Sequence, residues 1–77
     1  MNIPEHTEPG LKRGTYKRIL SDGKPVAKFT CPQCDFTANL GGGTHEIAKD
    51  GVVTPSVVCD GQGCMFHDWI ALVGWRT

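Results

Sequence analysis

Four cysteines, Cys31, Cys34, Cys59 and Cys64, are the residues of this chain whose type and spacing carry chemistry. They fall into two pairs, C-x₂-C and C-x₄-C, separated by 24 residues. A short spacer lets both thiolates of a pair reach one ion from a tight turn. Two such knuckles facing each other supply the tetrahedral sulfur set that Zn²⁺ favours. Four thiolates leave no open coordination position, which predicts one structural Zn²⁺ and not a catalytic one.

Other uses of the cysteines rank behind this. A disulfide framework belongs to secreted chains. Residues 1–10 are polar and contain no apolar h-region, so the expected location is the cytoplasm, where thiols stay reduced. Redox chemistry at Cys31-Pro32-Gln33-Cys34 would need a βαβ context with the first cysteine at a helix N-terminus, and a strand-like run follows instead. Iron in a rubredoxin-like site is the remaining alternative. His67 lies three residues after Cys64 and would be a substitute ligand if a cysteine were missing. His45 is a turn residue with a secondary claim on the site.

No GxSxG, P-loop or dinucleotide fingerprint is present. Gly41-Gly42-Gly43 has no Lys-Ser/Thr after it and reads as a flexible link. Asp60 and Asp68 read as solvated acids. The chain is therefore expected not to be an enzyme.

The elements that must position the cysteines follow from pattern. Thr15–Thr30 reads as two strands around a turn at Ser21-Asp22-Gly23-Lys24, because Asp-Gly tolerates positive φ. A helix over Leu11–Leu20 is the second reading, interrupted by Gly14 and Thr15. Phe36, Ala38 and Leu40 alternate along a short strand. Thr44–Val58 reads as a second hairpin with its turn at Lys49-Asp50-Gly51. Pro55 places the returning strand at an edge or a bulge. Met65–Trp75 reads as a closing strand, with His67, Trp69, Ala71, Val73 and Trp75 on one face and Phe66, Asp68, Ile70 and Leu72 on the other.

With 77 residues, 39% of them apolar, and ten glycines, the chain can bury only a small core. A metal staple fits that need. The expected fold is a small β-rich, metal-stabilised domain: a zinc ribbon with rubredoxin-like knuckles and an N-terminal hairpin or arm. Residues 1–10 are expected as a flexible tail, 11–30 as a basic hairpin or arm, and 31–77 as the ribbon. Its longest nearly apolar run, Trp69–Trp75, is too short to span a membrane.

Charge is unevenly spread although the net charge is zero. Residues 1–30 carry six basic groups (Lys12, Arg13, Lys17, Arg18, Lys24, Lys28) against three acidic ones. Residues 31–77 carry five acidic groups against two basic ones. The basic set could neutralise phosphates, with Tyr16 stacking on a base. A solvated hairpin face explains the same residues at least as well, and the pI near 6.8 is low for a dedicated nucleic-acid binder. Trp69 and Trp75 serve either as core or as anchors for a protein partner, with the core reading preferred.

Residues 31–75 carry a further pattern: CPxC at Cys31 and Cys34, then His45, Ile47, Asp50-Gly51, Pro55-Ser56-Val57-Val58-Cys59, Gly63-Cys64, Phe66-His67 and Gly74-Trp75. It resembles short zinc-ribbon proteins encoded by tailed bacteriophages and prophages. The resemblance implies a zinc-ribbon fold, a phage origin and a bacterial host cytoplasm, and brings no activity with it. Two functions are expected. The first is a non-enzymatic module docking on a protein, either host machinery or a phage assembly. The alternative is a small nucleic-acid-binding transcriptional regulator using the basic N-terminal segment.

Overall fold

A computed structural model describes residues 1–43 and 45–75. Seven strands are found among them: β1 (Asn2–Ile3), β2 (Tyr16–Ser21), β3 (Lys24–Thr30), β4 (Thr37–Leu40), β5 (Glu46–Ile47), β6 (Val52–Val58) and β7 (His67–Leu72). They form a three-stranded sheet, β2-β3-β4, and a four-stranded sheet, β1-β7-β6-β5. Every pairing is antiparallel except β1 with β7. No helix of the described residues is long and apolar enough to cross a membrane.

The first hairpin turns where its residues require. Asp22 and Gly23 have φ of 52° and 78°, the two positive angles of a tight type I′ connection, and Ser21 faces Lys24 across it. This strand pair takes the place of the alternative helix over Leu11–Leu20. The second hairpin closes with Ala48 N–H donating to Val52 O and Gly51 N–H to Ala48 O, both at 2.9 Å. Thr44, the expected start of that hairpin, lies outside the described residues.

Pro55 sits on β6, which is flanked by β5 and β7 and is therefore not an edge strand. The ladder with β7 breaks between Val53 and Val57. That bulge accommodates a residue with no N–H to donate.

Both sheets contribute to one core. Tyr16, Ala27, Phe29 and Leu40 come from the three-stranded sheet, and Ile3, Val53, Val57, Ile70 and Leu72 from the four-stranded one. Phe29 meets Phe66 at 6.1 Å between ring centroids, and Tyr16 meets Trp75 edge-on at 6.0 Å. The hairpin of residues 11–30 is thus built into the same core as the cysteine half.

Two expectations change here. Trp75 does not share the exposed face of Trp69. After Leu72 the chain turns, Trp75 N–H donates to Leu72 O, and the indole falls back into the core at 3% exposure. The period-2 alternation ends with the strand, so it could not place Trp75.

The first six residues are also not a loose tail. Ile3 is 1% exposed. Met1 and Ile3 carbonyls accept from Ala71 and Val73 N–H on one sheet, while Pro4 and His6 bond to the backbone of Tyr16 on the other. Composition registers one isoleucine in this segment and none of the backbone bonds, which is why it reads as solvated. Ile3→Ala is expected to lower stability by about 2–4 kcal/mol, measured by urea denaturation of the metal-loaded chain; a free tail would show no change.

Candidate metal centre

Each cysteine pair caps a hairpin, and the two hairpins lie in different sheets. Cys31 and Cys34 join β3 to β4, and Cys59 and Cys64 join β6 to β7. The two knuckles repeat one set of bonds. Cys31 N–H donates to Phe36 O, and Cys59 N–H donates to Phe66 O, both at 2.9 Å. The N–H groups of Gln33, Phe36 and Gly61 point at the sulfurs two residues before them, at 3.4, 3.5 and 3.3 Å. Phe66 N–H does the same for Cys64.

The four sulfurs all lie within 4.8 Å of one another. Cys31 Sγ is 3.6 Å from Cys64 Sγ, and Cys34 Sγ is 3.6 Å from Cys59 Sγ. Metal–sulfur bonds of roughly 2.3 Å give a tetrahedron with edges of about 3.8 Å, so these thiols need only small adjustments to enclose one ion. All four are free thiols. The arrangement can hold a metal ion, and its four soft donors suit a thiophilic cation.

Burial and backbone donors act on the thiols in opposite directions. Burial pushes the Cys59 thiol up to about 12. It also raises Cys31, against the opposing N–H of Gln33. Cys64 moves the other way, chiefly because Phe66 N–H favours its thiolate. Backbone donors to sulfur stabilise the ionised form, and a cation would supply the rest.

Gly61 makes the close approach feasible. A Cβ there would sit 3.2 Å from Cys34 Sγ, 3.3 Å from Cys59 Sγ and 3.1 Å from Phe36 Cβ. Gly61, Phe36 and Phe66 are the contributors that the cysteine spacing alone does not reveal. The signal was present as a shared C-x-F: Cys34-Asp35-Phe36 and Cys64-Met65-Phe66.

The other expected site residues are placed as follows. Neither His45 nor His67 belongs to the sulfur cluster. His67 Nε2 lies 2.7 Å from Ser56 Oγ, and His45 Nε2 lies 3.2 Å from Ser56 O. Tyr16 is fully buried and donates its hydroxyl to Val73 O, so it is not available to stack on a base. Its apolar ring outweighs its position within the basic run.

Arg18 lies 4.3 Å over the Trp75 ring. Arg13 pairs with Asp35 at 2.8 Å, which holds the Asp35 carboxyl below its ordinary range. Lys17 donates to the carbonyls of His6 and Glu8. Lys28 on β3 pairs with Lys17 on β2, Lys24 closes the hairpin turn, and the Lys12 carbonyl accepts from Thr15 Oγ1. Trp69 stands 61% exposed on β7.

No family model, curated protein or solved structure matches the chain. Gly61→Ala is expected to weaken metal affinity by about tenfold, measured by competition with a chelator of known affinity.

Proposed function

We propose that the cysteine cluster holds one structural Zn²⁺, that the fold is a zinc ribbon, and that the chain is a non-enzymatic binding module. The observation carrying this reading is the set of four sulfurs within 4.8 Å, drawn from two sheets. Four thiolates close the coordination sphere and leave no place for substrate or activated water. The metal would then act as a clamp, and its binding energy as folding energy.

Native mass spectrometry tests this. One zinc per chain is expected, with loss of the folded charge-state distribution on chelation. Cys59→Ser should not fold. Chelated material that stays folded with all four thiols reduced overturns the reading.

The pH dependence follows from the thiols. Cys59 and Cys31 are held protonated by burial, so zinc must displace their protons. Binding therefore releases protons, and affinity rises with pH. Between pH 8 and pH 6 the apparent affinity should fall by at least about tenfold per pH unit, read by chelator competition across that range.

For a partner, the reading favours a protein. Trp69 is exposed on β7, where it shares the outward side with Ala71 and His67, and Val52 and Val58 face Ala71 and His67 from β6. An exposed tryptophan amid aliphatic groups suits a protein anchor. The resemblance to phage-encoded ribbons supports host machinery or a phage assembly as the place of docking, in the host cytoplasm. Trp69→Ala is expected to keep its zinc and to change stability by no more than about 0.5 kcal/mol. It should also lose whichever bacterial protein the unaltered chain retains in a pull-down. Equal retention by both forms would remove Trp69 from the docking surface.

A further inference from the structure

The sulfur cluster is unevenly covered. Cys31 and Cys59 are buried, whereas Cys34 and Cys64 are half-buried. These two half-buried cysteines line one surface cleft of about 240 Å³, together with Gln33, Gln62, Gly63 and Met65. A water molecule occupies about 30 Å³ of liquid, so hydrogen peroxide fits there easily. The pairing of near neighbours adds a second asymmetry. Each 3.6 Å contact joins one half-buried cysteine to one buried cysteine across the knuckles: Cys64 to Cys31, and Cys34 to Cys59.

We propose that this cleft is a modification site for peroxides, at which Cys34 and Cys64 are oxidised and then captured by Cys59 and Cys31 as two cross-knuckle disulfides. The inference rests on the zinc reading above. An accessible thiolate attacks a peroxide oxygen. The O–O bond breaks, hydroxide leaves, and the cysteine becomes a sulfenic acid. The buried thiolate beside it then attacks that sulfur. An S–S bond forms, the S–O bond breaks, and a second hydroxide leaves.

Two solvent protons convert the hydroxides to water. Each disulfide delivers two electrons to one peroxide. The zinc ion leaves without changing charge, because its donors no longer carry thiolate lone pairs.

The pairing has a structural outcome. Disulfides within a knuckle, Cys31–Cys34 or Cys59–Cys64, would leave the two sheets unclamped. Disulfides between knuckles replace the metal with covalent bonds along the same line. Oxidation therefore exchanges one clamp for another and leaves the fold standing.

The test uses the full chain after its zinc content has been measured by native mass spectrometry. A chain purified without zinc overturns the earlier reading and this inference with it. With zinc present, hydrogen peroxide is added, release is followed with a chromogenic chelator, and linked peptides are mapped. Complete release at about two equivalents of peroxide is expected, with a mass lighter than the reduced chain by the hydrogens of four thiols. The linked peptides should be Cys31 to Cys64 and Cys34 to Cys59. Thermal unfolding should stay cooperative, and dithiothreitol with zinc should restore the starting mass.

Linkage within knuckles, cysteines carrying oxygen without linkage, or retained zinc with a single oxygen on Met65 would each overturn the proposal. Met65 stands 89% exposed at the cleft and is the competing target. Met65→Leu removes the competing thioether, and zinc release with the same two cross-knuckle disulfides should persist in it. If its release is abolished, oxidation runs through Met65 and the proposal fails.

Discussion

A chain of 77 residues that divides its strands between two sheets has little apolar surface with which to hold them together. The four sulfurs meet where one hairpin of each sheet turns back on itself. Everything else in the molecule is arranged around that convergence. The hairpins bring the sulfurs close, the backbone N–H groups prepare them for negative charge, and Gly61 keeps the loop out of their way. A small domain of this kind does not need a large core, provided that this one meeting of side chains is satisfied.

The first six residues solve a related problem by a different means. They bond to β7 in one sheet and to Tyr16 in the other, so the sheets are joined by backbone as well as by sulfur. Ile3 adds its side chain to the shared core. Trp75 closes the same region, in an edge-type contact with Tyr16 and with Arg18 over its ring. The N- and C-terminal stretches of the described chain thus complete the core together.

Legibility in the sequence follows how local each signal is. The Asp22-Gly23 turn, the turn before Val52 and the cysteine pairs were readable because a few neighbouring residues determine them. The interruption at Pro55 was readable as a bulge for the same reason, although the central place of β6 was not. The inward course of Trp75 was hidden because a turn after Leu72 resets the alternation. The basic run around Tyr16 read as a surface, since charge pattern says nothing about the ring at its centre. The ordering of the N-terminal segment depends on carbonyls bonding to strands distant in sequence, and residue type does not encode those.

The repeated bond set in the two knuckles separates what must be kept from what can vary. In each, the first cysteine anchors to the phenylalanine two places beyond the second. The loop between the ligands has two residues in one knuckle and four in the other. Between these two knuckles the loop length differs and the anchor is shared. Because those anchoring bonds run through backbone atoms, a two-residue loop and a four-residue loop present their sulfurs in the same way.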